Sequence, residues 1–149
     1  MKRILIATDG SVAAQEAVEL GVELARDEGA EAIVVHVVPL SHTVPVSGFG
    51  LVGYVPYEPT EWDEQVLEDA QALAEDAGVV AGTALLRGDP VTEIIRHADT
   101  VDADLVVVGS RGHGALASAL LGSVSRGILS ASTRPVLVVR AASVREPAV

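Results

Sequence analysis

Residues 104–125 read DLVVVGSRGHGALASALLGSVS, and the way this stretch parses decides the fold. It opens on LVVV, four apolar residues of which three are β-branched. It then carries four of the chain's fourteen glycines, Gly109, Gly112, Gly114 and Gly122, and closes on Ser-Val-Ser. A continuous apolar run bounded by glycine is the signature of a strand buried on both faces. Gly122-Ser123-Val124-Ser125 reads as a helix start, with the helix running to about Ser132.

Outward from there the same alternation recurs. Residues 4–8 (ILIAT), 32–38 (AIVVHVV), 79–86 (VVAGTALL, interrupted by Gly82) and 136–139 (VLVV) predict four more strands. Amphipathic stretches lie between them. One covers residues 12–26 behind Ser11 as N-cap, with Ala14, Ala17, Val18, Gly21, Leu24 and Ala25 on one stripe. A second runs from the cap-like pair Thr60 and Asp63 to about Ala77, stopped by Gly78. A third follows Asp89 as N-cap and Pro90 at the first helical position, turning Val91, Ile94, Ile95 and Ala98 inward. Strands alternating with helices predict a single-domain α/β fold, a five-stranded parallel sheet with helices on both faces, Rossmann-like, over residues 1–140. Residues 141–149 form a tail. Residues 41–59, rich in proline and glycine and holding both tyrosines, show no period and read as a long irregular loop, either a flap over a ligand or a partner surface.

The chain has 149 residues, 49 % hydrophobic and 21 % charged, which suits one globular domain. Ten Lys plus Arg against 21 Asp plus Glu give a net charge of −11. That excludes a general nucleic-acid binder, which needs cations to neutralise phosphates. Only one cation, Lys2, is a lysine, a pattern that fits either high-salt adaptation or a GC-rich genome. Cysteine is absent, so disulfides, thiolate metal sites and cysteine nucleophiles are excluded. No apolar run reaches the roughly 20 residues of a membrane span, and MKRILIATDG reads as a first strand and not a signal peptide, so a cytoplasmic location is expected.

In an open parallel sheet, ligands bind beyond the C-terminal ends of the strands, where strand order reverses. The ends of the first, second and fourth strands are therefore the places to search, and the glycine cluster occupies one of them. Ala115 stands where a P-loop requires lysine. The string Gly112-x-Gly114-x-x-Ala117 follows the wrong strand for a dinucleotide fingerprint and has no acidic residue about twenty positions on. The pattern Gly109-x2-Gly112-x9-Gly122-Ser123 remains. Gly109 ends a strand and, lacking Cβ, lets a ribose lie against backbone; Gly112 supplies a turn amide. Residues 113–121 make an excursion back to the same place. The helix opening at Gly122 offers free amides, with the hydroxyls of Ser123 and Ser125, to phosphate oxygens.

Together with ATDGS at the first strand end, HVV in the second, GDPVTEII, DLVVVGSRG and RPVLVVR, this pattern resembles the universal stress proteins of the nucleotide-binding type, over the whole chain. The resemblance implies the adenine nucleotide alpha hydrolase-like variant of the fold. It also implies a nucleotide site built from Ala7, Thr8, Asp9, Val37, Val108, Gly109, Gly112, Gly122, Ser123, Val124 and Ser125. Asp9 would accept hydrogen bonds from ribose or influence a metal near the phosphates, and the Val37 backbone would read the adenine edge. The ligand expected is ATP, with AMP or another adenine nucleotide as alternatives, and Mg²⁺ or Mn²⁺ bridging the phosphates. A homodimer through the last strand, Val136–Val139, is implied as well, which would cover an apolar sheet edge.

Nothing in the chain forms an activated Ser-His-Asp set, an SGGxDS-type loop or an HxGH motif, so no catalytic residue is expected and at most weak ATP hydrolysis. His36, inside an apolar strand, reads as a packed histidine. His42 and His97 have no partners at metal-binding spacing, so the protein itself builds no metal site. Arg111, His113 and Arg126 reach either phosphate or solvent. Three functions follow: an ATP-binding stress-response regulator acting through a homodimer and an unnamed protein partner, a dimeric scaffold that binds no nucleotide, or a slow ATPase. No nucleic acid or membrane is expected as a partner.

Overall fold

The computed structural model describes residues 1–46, 48, 50–111 and 121–140. Its strands are β1 (Arg3–Ala7), β2 (Glu31–Val38), β3 (Ser41–Val46), β4 (Leu51–Pro56), β5 (Ala81–Arg87), β6 (Leu105–Gly109) and β7 (Val136–Val139). Its helices are α1 (Val12–Glu28), α2 (Glu61–Asp76), α3 (Pro90–Thr100) and α4 (Ser123–Ala131). Five strands form one sheet in the order β5-β2-β1-β6-β7. Every pairing in it is parallel.

The β-branched runs build the centre of that sheet because both of its faces are covered. Alternation along β1 sends Ile4 and Ile6 into a cluster with Ala17, Val18, Val22, Leu67 and Ala74, on the side of α1 and α2. Leu5 and Ala7 enter the opposite cluster, with Ile94, Ala98 and Ile128 from α3 and α4. On one side α1 lies so close that a Cβ on Gly21 would sit 2.7 Å from Ile6 Cδ1.

The helix boundaries follow the caps read from the sequence. Ser11 accepts from the Ala14 amide, and Thr60 and Asp63 form a reciprocal capping box. Asp89 accepts from the Thr92 amide ahead of Pro90. Gly78, at φ 74°, follows the end of α2 in the left-handed region that favours glycine. The strand expected at residues 79–86 begins later, at Ala81, and runs through Gly82 without a break.

The reading of residues 41–59 as irregular needs correction. Six residues of β3 pair antiparallel with six of β4, Ser41↔Pro56 through Val46↔Leu51, as a separate two-stranded ribbon. Phe49, Gly112, His113 and the 141–149 tail lie outside the described residues.

The chain runs leftward from β1 to β2 to β5, then returns to start again at β6 on the other side of β1. Strand order thus reverses between β1 and β6, and the C-terminal ends of these two strands flank the crevice this topology creates.

Candidate functional site

Ala7, Thr8 and Asp9 leave the end of β1, and Val108 and Gly109 end β6 beside them, with Ile6 paired to Val107 just below. Ser110 then acts as a junction. Its amide donates to Val139 O (2.7 Å), while its carbonyl accepts from the Gly122 amide (2.6 Å) and from the buried Ser125 hydroxyl (2.9 Å). The chain therefore does return to its starting point after residue 111, and α4 begins at the mouth of the crevice. Gly122 is the N-cap of α4 at φ −76° and ψ 170°, with no side chain capping the helix. The first amides of a helix have no intrahelical acceptor, and their dipoles sum to a positive end, so Ser123 and Val124 present donors suited to phosphate oxygens. Ser123 itself is exposed.

Val37 is placed by the ladder. Val35 O accepts from the Thr8 amide on the β1 side, and Val38 O accepts from the Gly88 amide on the β5 side. Alternation turns the peptide groups of Val37 toward β1, at a level that β1, ending at Ala7, no longer reaches. A planar ligand edge lying beyond β1 would meet an amide and a carbonyl there. Ten of the eleven expected site residues are thus gathered around one end of the sheet, and the eleventh, Gly112, lies outside the described residues.

Two of them do different work from that expected. The Ser125 hydroxyl is buried and spends its proton inside the protein, on Ser110 O or Gly122 O, so it holds the helix start and does not reach outward to a phosphate. At Gly109, a Cβ would lie 2.9 Å from the backbone carbonyl carbon and oxygen of Ala13. The glycine lets α1 cross the end of β6, and helix backbone fills the space that was assigned to a ribose. Asp9 accepts from the Ser11 amide (2.9 Å) and shapes the turn into α1.

Beside the crevice stands a polar network that sequence reading missed. His36 is buried in β2 as a packed histidine, with Nδ1 2.9 Å from Thr8 O and Nε2 2.7 Å from Asp63 Oδ1. Both ring nitrogens lie within hydrogen-bond distance of an oxygen, so the ring is held from two sides. Burial alone would raise the Asp63 carboxyl. The amide of Thr60 and the side chains of His36, Tyr57 and Thr60 outweigh it and hold the group at about 2. Tyr57, donating to Asp63 Oδ2 at 2.7 Å, has its own hydroxyl pushed up by that carboxylate. Trp62 meets the His36 ring edge-on, and a Cβ on Gly10 would collide with it at 2.6 Å. A cleft of about 220 Å³ opens there between α1 and α2, against Thr8, Gly10, Gln15, Trp62 and Asp69, on the opposite face of the sheet from α4. A histidine in an apolar strand was the available signal, since such a ring needs partners.

Among the described residues no group of three His, Asp or Glu side chains is placed to hold a metal ion. Nor is any described helix long and apolar enough to cross a membrane.

Known proteins resemble this chain in sequence and in fold. The family model described as "Universal stress protein family" matches residues 1–140. Universal stress protein YxiE of Bacillus subtilis is 37 % identical over 146 residues, covering 93 % of this chain and 98 % of that protein. Universal stress protein MJ0531 of Methanocaldococcus jannaschii is 34 % identical over 139 residues, covering 93 % of this chain and 82 % of that protein. Among solved structures, a universal stress protein in complex with cAMP superimposes with a TM-score of 0.70 at 27 % identity, over 95 % of this chain and 98 % of that one. With a matching sequence model, matching relatives and a matching fold along nearly its full length, the chain belongs to the universal stress protein family.

Proposed function

We propose that this chain is an adenine-nucleotide-binding regulator, with ATP as its ligand and Mg²⁺ or Mn²⁺ carried in on the phosphates. The observation that carries this reading is the start of α4. A bare glycine cap stands where strand order reverses, and among the described residues no side-chain cap bond fills the first amides of α4. The similar protein solved with cAMP supports an adenine nucleotide as the class of ligand. Backbone at Val37 would take the adenine edge, Asp9 the ribose or the ion, and the α4 amides with the Ser123 hydroxyl the phosphates. The ion would be held mainly by the phosphates.

The chain acts, on this reading, as a cytoplasmic homodimer paired through β7, which lies at the edge of the sheet with Val136, Leu137 and Val138 incompletely buried. Its bound state would signal to a protein partner. A dimeric scaffold without nucleotide is the second reading, and the packing of Gly109 against α1 favours it by giving that glycine a purely structural reason.

Calorimetric titration of nucleotide-stripped protein with ATP and Mg²⁺ separates the two. One site per chain is expected, and Gly122→Val should abolish it. Gly122 sits at φ −76°, a backbone that valine adopts without strain, and the branched side chain would occupy the phosphate position; circular dichroism checks that the variant is folded. No heat from the wild type would leave the scaffold. Normal binding by the variant would move the phosphates elsewhere.

A further inference from the structure

The β3–β4 ribbon contains no residue of the nucleotide reading. It pairs only with itself and makes no bridge to the five-stranded sheet. Its apolar side chains lie outside: Leu51 and Val52 are each 61 % exposed and Tyr54 76 %, and Val46 and Val55 are exposed too. Alternation puts Val52 and Tyr54 on one face and Leu51 and Val55 on the other, so each face carries exposed apolar side chains. A lone two-stranded ribbon is marginal in water, and an apolar surface of this kind marks a contact.

Charge indicates what it contacts. The chain carries 21 acidic residues against ten basic ones, yet residues 32–57 contain no Asp, Glu, Lys or Arg. Two copies at net −11 repel across most of their surfaces. The ribbon is where they can meet without bringing carboxylates together, and it offers a charged partner nothing to pair with. The backbone narrows the contact further. Pro45 removes an N–H from β3, whereas residues 51–55 of β4 contain no proline and keep a free edge.

We propose that β4 pairs antiparallel with β4 of a second copy across a two-fold axis, joining two ribbons into one four-stranded sheet. This contact is distinct from the β7 edge and requires no nucleotide. With both in place and their two-fold axes perpendicular and intersecting, the assembly closes at four copies.

Sedimentation of the wild type and of a Val52→Glu, Tyr54→Glu double variant tests it, with Leu20→Glu on the outer face of α1 as a charge control and circular dichroism confirming the fold. The double variant should have half the wild-type mass, four copies falling to two, or two to one if β7 does not pair. The control should keep the wild-type mass. Because the chain lacks cysteine, single thiols introduced by Leu51→Cys, Val52→Cys, Tyr54→Cys and Val55→Cys give an independent readout, and at least one should trap a disulfide-linked pair on mild oxidation. Equal mass for wild type and double variant, an equal loss in the control, or no trapped pair at any of the four positions would overturn the proposal.

Discussion

The two flanks of the crevice solve the same polar problem in opposite ways. On the β1–β2 flank, Thr8, His36, Tyr57, Thr60 and Asp63 spend their polar groups on one another, across β1, β2 and the start of α2. On the β6 flank, α4 starts from a glycine that caps nothing with a side chain. Among the described residues no buried side-chain polar atom lacks a partner, and the saturated flank follows that rule; the α4 start instead offers main-chain amides that its glycine cap leaves unfilled. Where a fold leaves strong donors to be completed from outside, a ligand has a reason to bind. Where it completes them internally, it braces the structure. If that division holds, changes on the first flank cost stability, and changes at the α4 start cost binding.

Removing Asp63 should have the largest effect. Asp63→Ala takes the capping box from α2 and leaves the buried His36 ring without its Nε2 partner. Losing a buried hydrogen-bond partner together with a helix cap costs about 2–5 kcal/mol, and urea unfolding should show it as a lower midpoint. A loss below about 1 kcal/mol, the range of an exposed pair, would mean that the network is an ornament. The pH dependence sharpens the same point. The folded-state value of Asp63, about 2, lies below its ordinary 3.8. Its stabilisation is therefore complete above pH 4 and is lost as the pH falls from 4 through 2, a contribution of about 2 kcal/mol. Asp63→Asn should lack that portion of the acid slope, and the difference between the two curves isolates it from the other carboxylates.

Gly109→Ala sets the two explanations of one glycine against each other. Its new Cβ would press on α1 backbone at 2.9 Å, and overpacking of this kind costs about 1–3 kcal/mol. The loss should appear in thermal melts without nucleotide. If the melting temperature were unchanged and only ATP binding fell, the glycine would be serving a ligand and not a helix.

These assignments differ in how far the sequence revealed them. Strands and helices were legible because their signals are local: β-branched runs, and Ser11, Thr60 and Asp89 each acting on an amide three residues away. The ribbon was hidden because Pro45, Gly48, Gly50 and Gly53 interrupt any alternation, and because its strands pair with each other and not with the core. The gathering of Ala7–Asp9, Val37 and Gly122–Ser125 around one crevice followed from topology. The assignments of Gly109 and Ser125 went astray for a shared reason. Gly109 touches Ala13, and Ser125 binds Ser110 across the excursion, so each role depends on a distant segment that no short motif contains. His36 and Asp63 are 27 positions apart, and only the packing of α2 on β2 brings them together.

The smallest predicted effect separates two serines that a motif treats alike. Ser125→Ala removes a buried hydroxyl and leaves Ser110 O with one donor fewer, a cost of about 1 kcal/mol. Nucleotide affinity should change little, because that proton never faced the crevice. Ser123→Ala removes an exposed hydroxyl beside the helix amides, so stability should stay within about 0.5 kcal/mol while affinity for a phosphate-bearing ligand falls. Measuring both quantities for both variants gives a crossed pattern if the α4 start is divided between an inner brace and an outer donor. Parallel losses would instead mean that the two hydroxyls act as one unit, and the contrast between the flanks would dissolve at the position where it is sharpest.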